Sequence, residues 1–71
     1  MDPNATLYEM IYALDNREYD DARDCAEILK SWLNRNGCPP SGCTRAETLT
    51  LCVKVLRNAA AVTLADTCIG E

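Results

Sequence analysis

Two cysteines, Cys38 and Cys43, bracket the stretch CPPSGC between Asn36 and Glu47, and no other two cysteines in the 71-residue chain lie so close together. Thiols at that spacing could close a small disulfide ring, supply half of a structural zinc site, or form a redox pair. Structural zinc takes four ligands, usually as two close pairs, but the chain has no histidine, and Cys25, Cys52 and Cys68 make no second pair. No metal and no cofactor are therefore expected. A redox role requires a thiolate of lowered pKa, and Cys43, just ahead of an expected helix start at Thr44, is the candidate. Packing roles compete with this chemistry. With Gly37 closing a helix, Cys38 falls where a side chain touches the last helical turn near Leu33, and Cys43 falls at the position before the N-cap of the next helix. Five cysteines, an odd number, also argue against a complete disulfide framework.

Other catalytic groupings are missing. Without histidine there is no Ser-His or Cys-His couple, and no glycine-rich phosphate loop is present. The acidic run DNREYDDARD invites a calcium reading. An EF-hand loop beginning at Asp15 would put Arg17 at its third position and Asp20 where glycine is obligatory, so that reading fails. The run serves better as a solvated face whose acids complement a helix N-terminus. The chain is expected not to be an enzyme.

The elements that must position these residues are helical. Asp2 can cap a first helix with Pro3 at its first position, and Leu7, Met10, Ile11 and Leu14 then form one apolar stripe. The run from Arg17 to Gly37 carries Ala22, Cys25, Ala26, Leu29, Trp32 and Leu33 on one face, with Asp20, Asp21 and Asp24 in the early turns. Pro39 and Pro40 forbid its continuation. Thr44 and Glu47 match a capping box and open a third helix. Two adjacent stripes run along it: Leu49, Cys52, Val53, Leu56, Ala60 and Thr63, and beside them Leu51, Val55, Val62 and Ile69. The pattern predicts an all-α, three-helix domain over residues 1–71, with helices near 3–15, 18–36 and 44–66. It would be an antiparallel hairpin plus a longer third helix, without sheet or internal repeat.

Two resemblances accompany this reading. The segment REYDDARDCAEIL, through Tyr19 and Ala22, resembles the turn and second helix of a single tetratricopeptide-like hairpin, which implies packing geometry only. Over about forty residues, MDPNATL and AEILKSWLNRNGCPP resemble short hypothetical helical proteins of bacterial and phage genomes that carry an MDPN start and a W-L-x-R-G-G-aromatic-P-P segment. Here Asn36 stands in place of the first glycine and Cys38 in place of the aromatic residue. The resemblance implies a fold and a type of source.

Charge and size narrow the partners. The net charge is −4. It falls on residues 1–36, which hold eight acids and four bases, whereas residues 37–71 hold three of each. No basic stripe exists to bind nucleic acid or an anionic membrane. No run is long and apolar enough to span a bilayer, and the first residues do not read as a signal peptide, so a cytoplasmic location is expected. A chain this short buries only ~60–65% of its unfolded surface and gains from a partner. These features lead to a small interaction protein, homo-oligomeric through the third helix or bound there to another protein. Its expected contact residues are Leu51, Val55, Ala59, Val62 and Ile69, with the alanines Ala59 to Ala61 permitting close approach. Two alternatives stand beside it: a thiol redox sensor or carrier using Cys38 and Cys43, and an acidic inhibitor that binds a basic surface through the first half of the chain.

Overall fold

The computed structural model describes residues 2–62. They form three α-helices, α1 (Pro3–Asp15), α2 (Tyr19–Asn34) and α3 (Arg45–Asn58), followed by one 3-10 turn, Ala59–Ala61. No strand occurs among the described residues. This is the all-α, three-helix arrangement expected from the pattern.

Two of the three helices, α1 and α3, begin at side-chain caps. Asp2 Oδ1 accepts from the backbone N–H of Asn4 at 3.0 Å and of Ala5 at 3.4 Å, with Pro3 at the first helical position. Thr44 and Glu47 form the full reciprocal box: Thr44 Oγ1 accepts from Glu47 N–H at 3.1 Å, and Glu47 Oε1 accepts from Thr44 N–H at 3.0 Å. The start of α2 has no side-chain cap, but Asp20 and Asp21 occupy its first turn, where the helix dipole favours them.

The helix ends differ from the expectation in register. Both α1 and α2 close with Schellman geometry, in which paired backbone bonds return to the last turn. At α1, Arg17 is the left-handed residue (φ 60°), and Glu18 N–H returns to Ala13 O at 2.8 Å. At α2 the left-handed residue is Asn36 (φ 66°), not Gly37, and Gly37 N–H returns to Trp32 O at 2.9 Å. The cap therefore sits one residue earlier than expected.

The three-residue link Asn16–Glu18 folds α2 back along α1, and the ten-residue link Arg35–Thr44 returns α3 along α2. The middle helix thus packs on both neighbours. The core is built from Leu7, Met10 and Ala13 on α1, Ala22, Ala26, Leu29 and Leu33 on α2, and Leu51, Cys52 and Val55 on α3, with Ala59 beyond.

The third helix needs two corrections. Asn58 leaves helical geometry (φ −161°, ψ 88°), so α3 has 14 residues and is shorter than α2, which has 16. The expected end near residue 66 lies outside the described residues. The face turned inward is also not the one expected. Thr48, Leu51, Cys52, Val55 and Ala59 are buried, a single seam at helical spacing, while Leu49, Val53 and Leu56 are half-buried and Ala60 is exposed. The seam contains a threonine because Thr48 Oγ1 donates to Thr44 O at 2.8 Å, which satisfies its hydroxyl inside the helix.

Candidate functional site

The link between α2 and α3, where the sequence places its two closest cysteines, is a tied-down bend. The Trp32 indole N–H donates to Cys38 O at 2.9 Å. The guanidinium of Arg45, the first residue of α3, donates to the carbonyl of Leu33 and, at 3.3 Å, to that of Gly37. A cation on the last carbonyls of α2 satisfies acceptors that the helix leaves open and complements its dipole. Residues Pro40 to Cys43 form a tight turn, closed by Cys43 N–H to Pro40 O at 3.2 Å. Gly42 is its third residue, with the positive φ of 84° that a type II turn demands. On the other side, Asn4 Oδ1 accepts from Ser41 N–H at 2.7 Å, so the bend is also anchored to the start of α1.

Within this bend the two cysteines part company. Cys38 is exposed and its thiol is free, whereas Cys43 is half-buried and disulfide-bonded. They are not bonded to each other, so the small ring considered above is not formed. The packing role expected for Cys38 is not realised either. The one-residue shift of the cap puts Gly37, beneath the Trp32 ring, where Cys38 was expected. The other two described cysteines are free thiols. Cys52 is fully buried, and burial pushes its thiol up to about 11. Cys25 is half-buried at the edge of the core. Cys68 lies outside the described residues. No three His, Cys, Asp or Glu side chains converge as a metal site among the described residues.

The expected contact face of α3 is mostly interior. Leu51 is 1% exposed, Val55 0% and Ala59 4%, while Val62 is half-buried and packs against the core. Ile69 lies outside the described residues. Leu51, Val55 and Ala59 belong to the buried core rather than to an exposed face. What α3 shows to solvent is a shallow patch of Leu49, Thr50 and Val53 edged by Lys54 and Arg57.

A concavity lies elsewhere among the described residues, between α1 and α2. It is an open cleft of about 500 Å³ lined by Tyr8, Glu9, Tyr12 and Ala13 from α1 and by Asp21, Asp24 and Cys25 from α2, with Glu18 at the turn. The antiparallel hairpin brings these together: Ala13 stands beside the start of α2, and Glu9 stands one helical turn earlier, opposite Cys25. Tyr8 and Tyr12 are 57% and 69% exposed, two of the three large hydrophobic side chains most open to solvent among the described residues. Comparison of the chain with protein-family models, with curated proteins and with solved structures gave no match. The cleft has to be read from its own chemistry.

That chemistry is aromatic and anionic. Among the described residues, no basic side chain lines the cleft. Among the described residues, Arg23 pairs with Asp20 outside it, and none of Glu9, Glu18, Asp21 and Asp24 takes part in an ion pair. The negative potential reaches the thiol at its edge. Cys25 is pushed above its ordinary value, first by burial and then by Glu9, Asp21 and Asp24. Sequence reasoning placed Cys25 on a core stripe and passed over the two tyrosines. The available signal was the spacing of Tyr8 and Tyr12, one helical turn apart and beside the apolar stripe rather than on it. No described helix is long and apolar enough to cross a membrane.

Proposed function

We propose that this chain is a small, non-enzymatic helical module that binds another protein, and that it does so through the cleft between α1 and α2. The observation that carries this reading is the pair of exposed tyrosines on a concave surface. Tyrosine supplies rigid, amphipathic contact area and is enriched where proteins meet. The self-association through α3 suggested by the sequence loses its support, because Leu51 and Val55 are spent on the core. A second copy or a different chain seated on the cleft remains compatible with an interaction role. The test is affinity capture with the wild type and with the Tyr8→Ala/Tyr12→Ala double variant, both residues being exposed and outside the core. A partner retained by the wild type and lost from the double variant supports the reading. Equal capture by both places the contact elsewhere.

A thiol redox role is the second reading. It is favoured by one observation: a free, exposed thiol at Cys38 lies in the same short bend as the disulfide-bonded Cys43. The disulfide also weighs against the cytoplasmic location expected from the sequence, since cytosolic thiols are held reduced. Alkylation of free thiols at the moment of cell lysis, followed by peptide mapping, decides both points. Cys43 recovered in alkylated form would fit a reducing compartment, and a mixture of bonded and alkylated Cys43 would fit a redox cycle.

A further inference from the structure

We propose that the α1–α2 cleft receives a lysine- or arginine-bearing segment of a partner protein, with its cationic groups over the rings of Tyr8 and Tyr12 and within reach of Glu9, Asp21 and Asp24. This inference rests on the interaction reading above and names the chemistry of the partner. The first argument is charge complementarity. Four carboxylates border the cleft without a basic neighbour on its walls, in the half of the chain that carries the whole net charge of −4. Anionic partners, nucleic acid among them, are repelled. The second is the aromatic floor. A cation held over a tyrosine face gains from the ring quadrupole, and arginine can also stack on it.

Shape excludes smaller cations. Sites for small molecules bury most of the ligand's surface, whereas this cleft is shallow and open along the hairpin, so a free amine would stay largely in water. A metal ion would need several oxygens converging on one point, and no such group exists among the described residues. A side chain carried on a longer segment avoids both problems, because the segment's apolar residues can lie along Tyr8, Tyr12 and Ile11, which line the adjoining part of α1. Lysine and arginine stems suit such a surface, covering apolar area while their heads reach the acids.

The experiment uses the whole chain and a fluorescent amphipathic peptide of lysine and leucine, with a glutamate-for-lysine peptide as its counterpart. Fluorescence anisotropy should show binding of the lysine peptide alone, weakening as salt is raised. The Asp21→Asn/Asp24→Asn variant should bind about tenfold more weakly, and Tyr8→Ala about fivefold. Glu27→Gln, an exposed acid outside the cleft, should leave binding unchanged. The peptide should also slow alkylation of Cys25 without slowing that of Cys38, which places it in the cleft. Equal loss of binding in Glu27→Gln and in the Asp21/Asp24 variant would overturn the proposal, since it would mean unlocalised attraction to an acidic protein. So would equal binding of both peptides, or a second copy of the chain occupying the cleft in equilibrium sedimentation. If the lysine peptide fails while a captured partner still depends on Tyr8 and Tyr12, the basic partner is wrong and the interaction reading survives. If that dependence is also absent, both fall.

Discussion

The indole of Trp32 fills the space that a side chain at Gly37 would need. A Cβ built at Gly37 would come within 2.3 Å of Trp32 Cε2, a distance that non-bonded carbons do not tolerate. The same indole holds the next residue through its N–H bond to Cys38 O. Gly37 is thus required for close approach and not for its backbone angle, while its neighbour Asn36 adopts the left-handed conformation without being glycine. Adjacent substitutions should therefore have opposite signs. Gly37→Ala should destabilise the fold by about 1–3 kcal/mol through overpacking. Asn36→Gly should leave stability unchanged or raise it by up to about 1 kcal/mol by relieving the left-handed strain. Urea denaturation of both variants reads the signs directly, and a loss in Asn36→Gly matching that in Gly37→Ala would contradict this account.

The sequence was most informative where a local rule acts alone. The Asp2 cap, the Thr44–Glu47 box, the apolar stripe of α1 and the breaks at Asn16 and Pro39 each depend on neighbours along the chain. What it hid depends on neighbours in space. The seam through Thr48, Leu51, Cys52, Val55 and Ala59 runs between the two expected stripes, and its first member is a polar residue whose hydroxyl is satisfied only once the helix has formed. The guanidinium of Arg45 reaches back to the end of α2, a contact that exists only when the bend is folded. The cleft requires α1 and α2 to be folded together before Tyr8 and Tyr12 meet Asp21 and Asp24. Neither helix shows that surface by itself.

The role of Arg45 can be tested. Its guanidinium bridges the carbonyls of Leu33 and Gly37 across the bend. Arg45→Met keeps much of the side chain's length but removes the donors, and should cost about 1 kcal/mol, a typical net value for a hydrogen bond. Arg45→Lys should recover only part of that loss, because one ammonium cannot reproduce the two-armed contact. Thermal melts of the three proteins at matched concentration provide the comparison. Full recovery by lysine would show that charge alone matters.

Thiol reactivity should follow position in the fold. A membrane-impermeant maleimide applied to the native protein should modify Cys38 first and Cys25 more slowly, because Cys25 is half-buried and its thiolate is disfavoured by burial and by Glu9, Asp21 and Asp24. Cys52, buried and shifted to about 11, should react only when the protein opens. Cys43 should react only after reduction. Time-resolved peptide mass mapping gives the order, and rapid native labelling of Cys52 would contradict its placement in the core.

Cys52 also links stability to alkaline pH. Burial raises its folded pKa above the ordinary 9.0, to about 11. Between these values the unfolded chain has lost the proton and the folded chain keeps it, so unfolding is favoured as pH rises. The contribution is fully present below about pH 9 and falls by at most about 1.4 kcal/mol per pH unit until the folded pKa is passed. Cys52→Ala should be less stable at neutral pH because of its cavity, but should lack this component of the alkaline slope. Denaturation midpoints of wild type and variant across that window measure the difference. Parallel pH profiles would mean that Cys52 titrates normally.

The orientation of α3 gives the sharpest contrast between what the sequence suggested and what the fold shows. If the seam through Leu51 and Val55 met a partner, Val55→Asp would produce a folded chain that no longer associates. In the structure Val55 is 0% exposed, and Val53, two residues earlier, is half-buried. A carboxylate at residue 55 would be placed among Leu51, Cys52 and the α2 core without a partner, a change that typically costs more than about 4 kcal/mol and exceeds what a domain this small can lose. At residue 53 the same carboxylate can reach water and should cost about 1 kcal/mol or less. Circular dichroism should therefore show Val55→Asp unfolded at room temperature and Val53→Asp helical with a cooperative melt. A Val55→Asp protein that stays helical and changes only its sedimentation would reverse the assignment and return the seam of α3 to the surface.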